Sequence, residues 1–151
     1  MRIADYLRDS LIFLDIEADD KESAIAKIVD MMDKNKVLSD ASVFLNEVYQ
    51  RERLGSTGIG YGVALPHART QNVTNIIISV TRLKEPIDFD SEDKKPVKLI
   101  FLLGTPLKAV GEYLKVLAKL SKLLRDDKIR NAILAANDPV SIRTVFENAE
   151  D

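Results

Sequence analysis

The sequence predicts an α/β domain, in which strands and helices pack around a shared core. Three observations favour this class. An apolar segment at 11–16 precedes a helical pattern that runs from residue 19 to about residue 35. Two strongly apolar segments, 75–83 and 97–103, occupy the middle of the chain. Helical patterns then return from residue 112 onwards, so that helices stand on both sides of the strands along the chain.

The first half of the chain predicts one short strand and two helices. Residues 11–16 form the strand. Asp19, followed three residues later by Glu22, has the form of a capping box and predicts the start of the first helix. Ser39 or Asp40 begins the second helix. The residues expected on the inner face of this helix are Val43, Phe44, Val48 and Leu54.

The middle of the chain predicts two longer strands. Residues 75–83 are rich in β-branched side chains. Residues 97–103 are apolar except for Lys98, which is typical of a strand covered on both faces. Residues 86–90 read as a short edge piece between these two strands.

Helices complete the chain. Residues 112–125 place their apolar side chains on one face. A second helix is predicted at 128–136, and Asp138 followed by Pro139 gives an N-cap and a first-turn proline for the last helix.

Length and composition limit the possible functions. A chain of 151 residues suits a single domain, here 1–151. The net charge of −2 argues against a nucleic-acid-binding protein, which needs a basic surface. There is no cysteine, so disulfides and thiolate metal sites are excluded. Because no signal peptide is recognisable and no apolar run is long enough to span a bilayer, we expect a cytoplasmic protein without membrane insertion.

The segment 51–69 concentrates residues that can handle an anion. It contains the chain's single histidine, four of its six glycines and three arginines. These residues are His67, Gly55, Gly58, Gly60, Gly62, Arg51, Arg53 and Arg69. Histidine can be a neutral nucleophile near neutral pH, and arginine binds phosphate oxygens with a rigid fork of donors. The segment therefore predicts a histidine that handles an anion, and it favours a phosphoryl group.

Other chemistries fit this segment poorly. No Gly-Lys-Ser/Thr follows the glycines, so the segment is not a P-loop. The run follows a helix, unlike a dinucleotide fingerprint, and it lacks the Gly-x-Ser-x-Gly spacing of a hydrolase. One histidine is too few for a typical catalytic zinc, and we expect neither a metal nor another cofactor. His67 remains as the nucleophile, with Arg51 or Arg53 and the backbone N–H groups of the glycine loop neutralising the phosphoryl charge.

At this point the chain resembles a known family. The run from Arg51-Glu52 through Gly55-Ser56-Thr57-Gly58 to Leu65-Pro66-His67 is similar to the phosphohistidine segment of the type-2 enzyme IIA proteins of the bacterial phosphoenolpyruvate:sugar phosphotransferase system. The resemblance extends over nearly the whole chain. It implies an α/β fold with a mixed sheet of about five strands flanked by helices on both faces.

The resemblance also implies roles for individual residues. His67 would carry the phosphoryl group on Nε2, and Arg51 would stabilise its charge. Ser56 and Thr57 match small hydroxyls near the site, and Gly58, Gly60 and Gly62 match the glycines of the motif. Tyr113 stands where many relatives have a second histidine, and its hydroxyl could replace one hydrogen bond.

The resemblance implies partners and leaves the subfamily open. The donor would be the phosphohistidine of HPr or an HPr-like protein. The chain's stand-alone length favours a nitrogen-type enzyme IIA that regulates target proteins. The alternatives are a sugar-specific enzyme IIA of the fructose or mannitol kind, which passes the group to an enzyme IIB, and a non-catalytic regulatory binding module. For the partner contact we expect an apolar collar of Ile59, Tyr61 and Val63 around the histidine.

Overall fold

A six-stranded mixed β-sheet forms the centre of the computed structural model, which describes residues 1–150. Its strands are β1 (Leu7–Ile16), β2 (Gly58–Gly60), β3 (Val63–Ala64), β4 (His67–Thr70), β5 (Ile77–Ile87) and β6 (Val97–Pro106). The order is β1-β5-β6-β3-β2, and β4 also pairs with β6. Strand β6 runs antiparallel to β5 and parallel to β3 and β4. The prediction of a mixed sheet of about five strands is therefore confirmed, with β4 as the additional strand.

Helices cover both faces of the sheet, as predicted. One face packs against α1 (Lys21–Lys34) and α2 (Ala41–Arg53). The other packs against α3 (Val110–Leu124), α4 (Asp127–Ala135), α5 (Pro139–Ala149) and a short 3-10 turn at Ile3–Tyr6. No helix within residues 1–150 is long and apolar enough to cross a membrane.

Strand β6 is the only strand paired with three others within the described residues, and it separates two apolar cores. Leu99, Phe101 and Leu103 face α3–α5, whereas Ile100 and Leu102 face α1 and α2. All five are at most 1% exposed. This two-sided burial is the reason why residues 99–103 of β6 are continuously apolar rather than alternating.

Helices α1, α2, α4 and α5 start at side-chain cap hydrogen bonds, and one predicted cap was wrong by one residue. Helix α1 begins after Asp20 rather than Asp19. The Asp20 carboxylate accepts from Ser23 N, and Ser23 Oγ accepts from Asp20 N, so the reciprocal capping pair is Asp20–Ser23. Asp40 and Asp138 cap α2 and α5, as the sequence indicated.

Three further details differ from the sequence-based expectations. Strand β5 continues through Ile87, so Pro86 and Ile87 extend it instead of forming a separate edge piece. Phe44 and Val48 lie on the inner face of α2, but Val43 is 47% exposed. Leu54 follows the end of α2 and is 85% exposed, so it is a surface residue.

The glycine-rich segment forms a β-hairpin rather than an open loop. Strands β2 and β3 pair antiparallel, and Tyr61 and Gly62 connect them with φ angles of 61° and 76°. Positive φ at both central residues is the requirement of a type I′ turn, the turn that suits tight hairpins. Gly58 has a packing role, because a Cβ there would overlap Ser91 Oγ.

Candidate functional site

Strands β3 and β4 pair with β6 one after the other, and His67 is the first residue of β4. Val63 and Ala64 pair with Leu99 and Ile100, and His67 pairs with Leu103 in the same register. Leu65 and Pro66 occupy the gap. Proline has no N–H to donate, but Pro66 O still accepts from Leu103 N (3.0 Å). The short break therefore leaves the register intact and places His67 near the end of β6.

The His67 ring is buried and held in one tautomer. Its residue is 8% exposed, and Nδ1 lies 2.7 Å from Leu65 O. A carbonyl oxygen can only accept, so Nδ1 carries the proton and Nε2 keeps a free lone pair. Burial lowers the pKa of His67 below its ordinary value of 6.5. The Leu65 bond and Glu52 act to raise that pKa, while Arg51 lowers it further. The ring is therefore neutral at pH 7.

An open cleft gives access to His67. It lies between the C-terminal end of α2, strand β4 and the first turn of α3. The side chains that line it are Glu47, Gln50, Arg51, Leu54, His67, Ala68, Arg69 and Tyr113. Two of these are cations and one is an anion. Glu47 Oε1 accepts from Thr70 Oγ1 (2.6 Å) and from Asn72 Nδ2 (3.2 Å), so two neutral donors stabilise its carboxylate.

The arginines of the segment separate into different positions. Arg51 lines the His67 cleft, and its Nη1 donates to Gly55 O (2.9 Å). Arg69 also lines the cleft, and its Nη2 donates to Leu107 O (2.9 Å) in the loop before α3. Arg53, two residues after Arg51 on the helix, borders another cleft beside Lys21 and Asp90. The structure therefore brings Arg51 and Arg69 to the histidine and excludes Arg53.

Tyr113 packs beside the histidine. The two ring centroids are 5.6 Å apart, and the ring planes are tilted by 49°. Tyr113 lies in the first turn of α3, where it is partly buried. It thus lines the cleft directly beside the His67 ring.

The predicted supporting residues do not line the cleft. Ser56 Oγ donates to Phe89 O (2.6 Å) and accepts from Gly58 N (3.0 Å). Thr57 Oγ1 donates to Glu52. Gly58 and Gly60 belong to β2, and Gly62 is in its turn. The expectation that their hydroxyls and backbone N–H groups would face the phosphoryl group is therefore not supported by this arrangement.

The predicted apolar collar also has to be corrected. Val63 is fully buried, and Ile59 is partly buried against the core. Tyr61 is 53% exposed, but it lies beyond Val63, on the side away from His67. Val63 and His67 are four residues apart along the β6 register, which corresponds to about 13 Å. Its ring lies beside Arg130 of α4, with 4.8 Å from the centroid to Cζ. Leu54 and Tyr113 form the apolar rim instead.

Sequence reasoning assigned no role to Glu52 and Lys21, which form a buried ion pair next to Arg51. Glu52 was visible beside Arg51 but gave no sign that it is buried, since both of its neighbours are polar. Lys21, which forms an ion pair with Glu52 Oε2 (2.7 Å), is 31 residues away in the chain. No group of three or more His, Asp or Glu side chains among residues 1–150 is arranged to hold a metal ion.

Comparison with known proteins identifies the family of this chain. The family described as "Phosphoenolpyruvate-dependent sugar phosphotransferase system, EIIA 2" matches residues 5–149. A nitrogen regulatory protein of Bradyrhizobium diazoefficiens is 35% identical over 97% of this chain and 95% of its own length. The fructose-specific EIIABC component of Bacillus subtilis is 36% identical over 94% of this chain, which spans only 22% of that protein.

Solved structures agree with this placement. The nitrogen regulatory protein IIA-Ntr of Neisseria meningitidis superposes with a TM-score of 0.89 and 33% identity, covering 95% of this chain and 98% of its own. Enzyme IIA-mannitol of Escherichia coli, solved in complex with phosphorylated enzyme IIB-mannitol, has the same fold, with a TM-score of 0.80 and 19% identity over 94% of this chain and 97% of the solved chain. The chain belongs to the EIIA 2 family of the phosphoenolpyruvate-dependent sugar phosphotransferase system.

Proposed function

We propose that this protein is a phosphoryl carrier that accepts its group on Nε2 of His67. The observation that supports this most directly is the Nδ1–Leu65 O hydrogen bond, which leaves Nε2 as the free nucleophile beside Arg51. In the transfer, the Nε2 lone pair attacks phosphorus as the donor's N–P bond breaks, and the donor imidazole takes that electron pair. Nδ1 keeps its proton throughout.

The donor we propose is the phosphohistidine of HPr or of an HPr-like protein. An already activated donor supplies the driving force, so the site needs a neutral acceptor and charge stabilisation, both of which the cleft contains. The phosphoryl group brings close to two negative charges at neutral pH. Arg51 and Arg69 are the cations that line the cleft and could bind those oxygens. The group would then pass to an enzyme IIB or control the binding of target proteins.

Within the family, we favour a nitrogen-type regulatory role. The support is the match to two nitrogen regulatory proteins over nearly their whole lengths. A sugar-specific role is the second candidate, because the Bacillus subtilis fructose component is equally similar in sequence. A transfer assay distinguishes the two roles. A sugar-specific carrier passes its phosphoryl group to a fructose- or mannitol-type enzyme IIB, whereas a regulatory carrier retains it.

Phosphorylation should occur at His67 alone. Incubating the protein with phosphoenolpyruvate, enzyme I and HPr should add one acid-labile phosphoryl group, detected by intact-protein mass spectrometry. His67→Gln should abolish the mass increase, because no other histidine exists in the chain. A variant that still gains this group would show that another residue is the acceptor. A wild-type protein that gains none would favour the non-catalytic binding module.

The His67 ring should titrate below pH 6.5. Burial opposes the charged form, so the folded pKa lies below the unfolded value, and the unfolded chain binds the proton first. His67 therefore contributes its full stability above pH 6.5, and this contribution declines as the pH falls below 6.5 towards the folded pKa. The ring-proton NMR signal of the single histidine measures the midpoint directly, with the urea-unfolded chain as the reference. A folded midpoint at or above the unfolded one would contradict the expectation.

Arg51→Ala should slow phosphoryl uptake far more than Arg53→Ala. Removing a charge-assisted partner from a transfer state costs about 2–4 kcal/mol, or roughly 30- to 1,000-fold in rate. Arg53 is the matched control, because it has the same side chain on the same helix but borders a different cleft. Rapid-quench measurement of uptake from phospho-HPr compares the two variants. Equal rates would remove Arg51 from the mechanism.

Leu54 should anchor the incoming carrier protein. It is the most exposed large apolar residue at the rim, at 85%, and phosphoryl transfer requires the partner to cover the cleft. Leu54→Ala should raise the KM for phospho-HPr about tenfold, which corresponds to about 1.4 kcal/mol of docking energy. Tyr61→Ala, an exposed aromatic on the distant hairpin turn, is the control and should leave the KM unchanged. The reverse pattern would place docking at the hairpin.

A further inference from the structure

Glu52 is a buried carboxylate in the last turn of α2, directly beside Arg51. It is 7% exposed, although both of its chain neighbours reach solvent. Its Oε2 pairs with Lys21 Nζ (2.7 Å), and Lys21 is itself largely buried, with its ammonium 5.0 Å from the Phe89 ring centroid. A buried charge is tolerated only when it is paired and hydrogen-bonded. The remaining partners of Glu52 therefore identify what this charge holds in place.

Both remaining partners belong to Thr57. Thr57 Oγ1 donates to Glu52 Oε1, and Thr57 N donates to Oε2 (3.3 Å). The carboxylate thus accepts hydrogen bonds from both the backbone and the side chain of Thr57, which is only 5% exposed. This fixes the chain where it leaves α2 and enters the hairpin.

Thr57 is connected in turn to the histidine. Leu65 N donates to Thr57 O (3.0 Å), and Leu65 O accepts from His67 Nδ1 (2.7 Å). Pro66 separates these two residues and restricts the backbone between them. A continuous path of bonds therefore runs from Lys21 through Glu52, Thr57 and Leu65 to the imidazole.

We propose that Thr57 is a positioning residue for the His67 ring and that the buried Glu52–Lys21 pair holds Thr57 in place. A free imidazole exchanges its proton between the two nitrogens, and only the Nδ1–H tautomer presents a lone pair at Nε2. By fixing the Leu65 carbonyl, Thr57 selects that tautomer and orients the ring. The kinetic consequence rests on the proposed phosphoryl-carrier function, whereas the tautomer consequence does not.

The experiment uses the single histidine as a spectroscopic reporter. Thr57→Val removes the hydroxyl at nearly constant volume, and Thr57→Ser restores it. Ser79→Ala is the matched control, because it deletes another buried hydroxyl hydrogen bond, to Leu102 O (3.1 Å), outside the path. For each variant, ¹⁵N chemical shifts of the ring report the tautomer, and hydrogen exchange of the Leu65 amide reports its bond to Thr57. Neither measurement requires a phosphoryl donor.

We expect Thr57→Val to lower the Nδ1–H population and to speed Leu65 amide exchange about tenfold. It should also reduce the rate constant of phosphoryl uptake about tenfold without changing the KM, because fewer rings then present a lone pair at Nε2. Thr57→Ser and Ser79→Ala should match the wild type. Unchanged tautomer and exchange in Thr57→Val would overturn the proposal, even if uptake slowed.

The proposal can still be tested if Thr57→Val does not fold or if the wild type takes up no phosphoryl group. If Thr57→Val does not fold, Glu52→Gln replaces it, since it removes the charge that binds Lys21 at nearly constant shape. Faster Leu65 exchange and a shifted tautomer in Glu52→Gln support the path, and unchanged values refute it. If the wild type takes up no phosphoryl group but Thr57→Val still shifts the tautomer, the proposed function fails while the positioning role stands.

Discussion

Two-sided burial of strand β6 is the constraint on which the rest of the structure depends. Strand β6 pairs with β5 on one side and with both β3 and β4 on the other, so it organises the whole sheet. Its alternating side chains supply both apolar cores, which requires helices on both faces. Strands β3 and β4 pair with β6 in the same register. Leu65 and Pro66, which lie between these two strands, therefore have a fixed position along β6. The location of His67 follows from that register.

The proposed phosphoryl transfer places two electrostatic requirements on the site. A nucleophilic histidine must be neutral, and a phosphoryl acceptor site must be positive. Burial of the ring beside Arg51 satisfies both, since desolvation and a nearby cation each disfavour the imidazolium. Glu52 adds a negative charge, but that charge is directed to Lys21 and Thr57, away from the cleft. The cations that line the cleft therefore remain available to an anion.

Secondary structure was largely predictable because it depends on local patterns. The apolar run at 97–103 and the Asp138–Pro139 start of α5 were read correctly, since burial and capping leave direct marks in the sequence. The errors lie where two local signals compete. Asp19 and Asp20 both have a partner three residues later, and only Asp20 has the geometry to form the cap. Leu54 fitted the period of α2, but the helix ends before it, so Leu54 is free to face solvent.

The sequence by itself determined the α/β class, the unusual segment around a single histidine and the resemblance to the family. These features depend on residue types and spacings along the chain. Only the tertiary structure decided which groups meet His67. It placed Arg69 beside Arg51 in the cleft, folded Gly58, Gly60 and Gly62 into a hairpin that does not line the cleft, and connected Lys21 to Thr57 through Glu52. Such contacts depend on the packing of distant segments, and no local pattern encodes which of several polar side chains will share a buried environment.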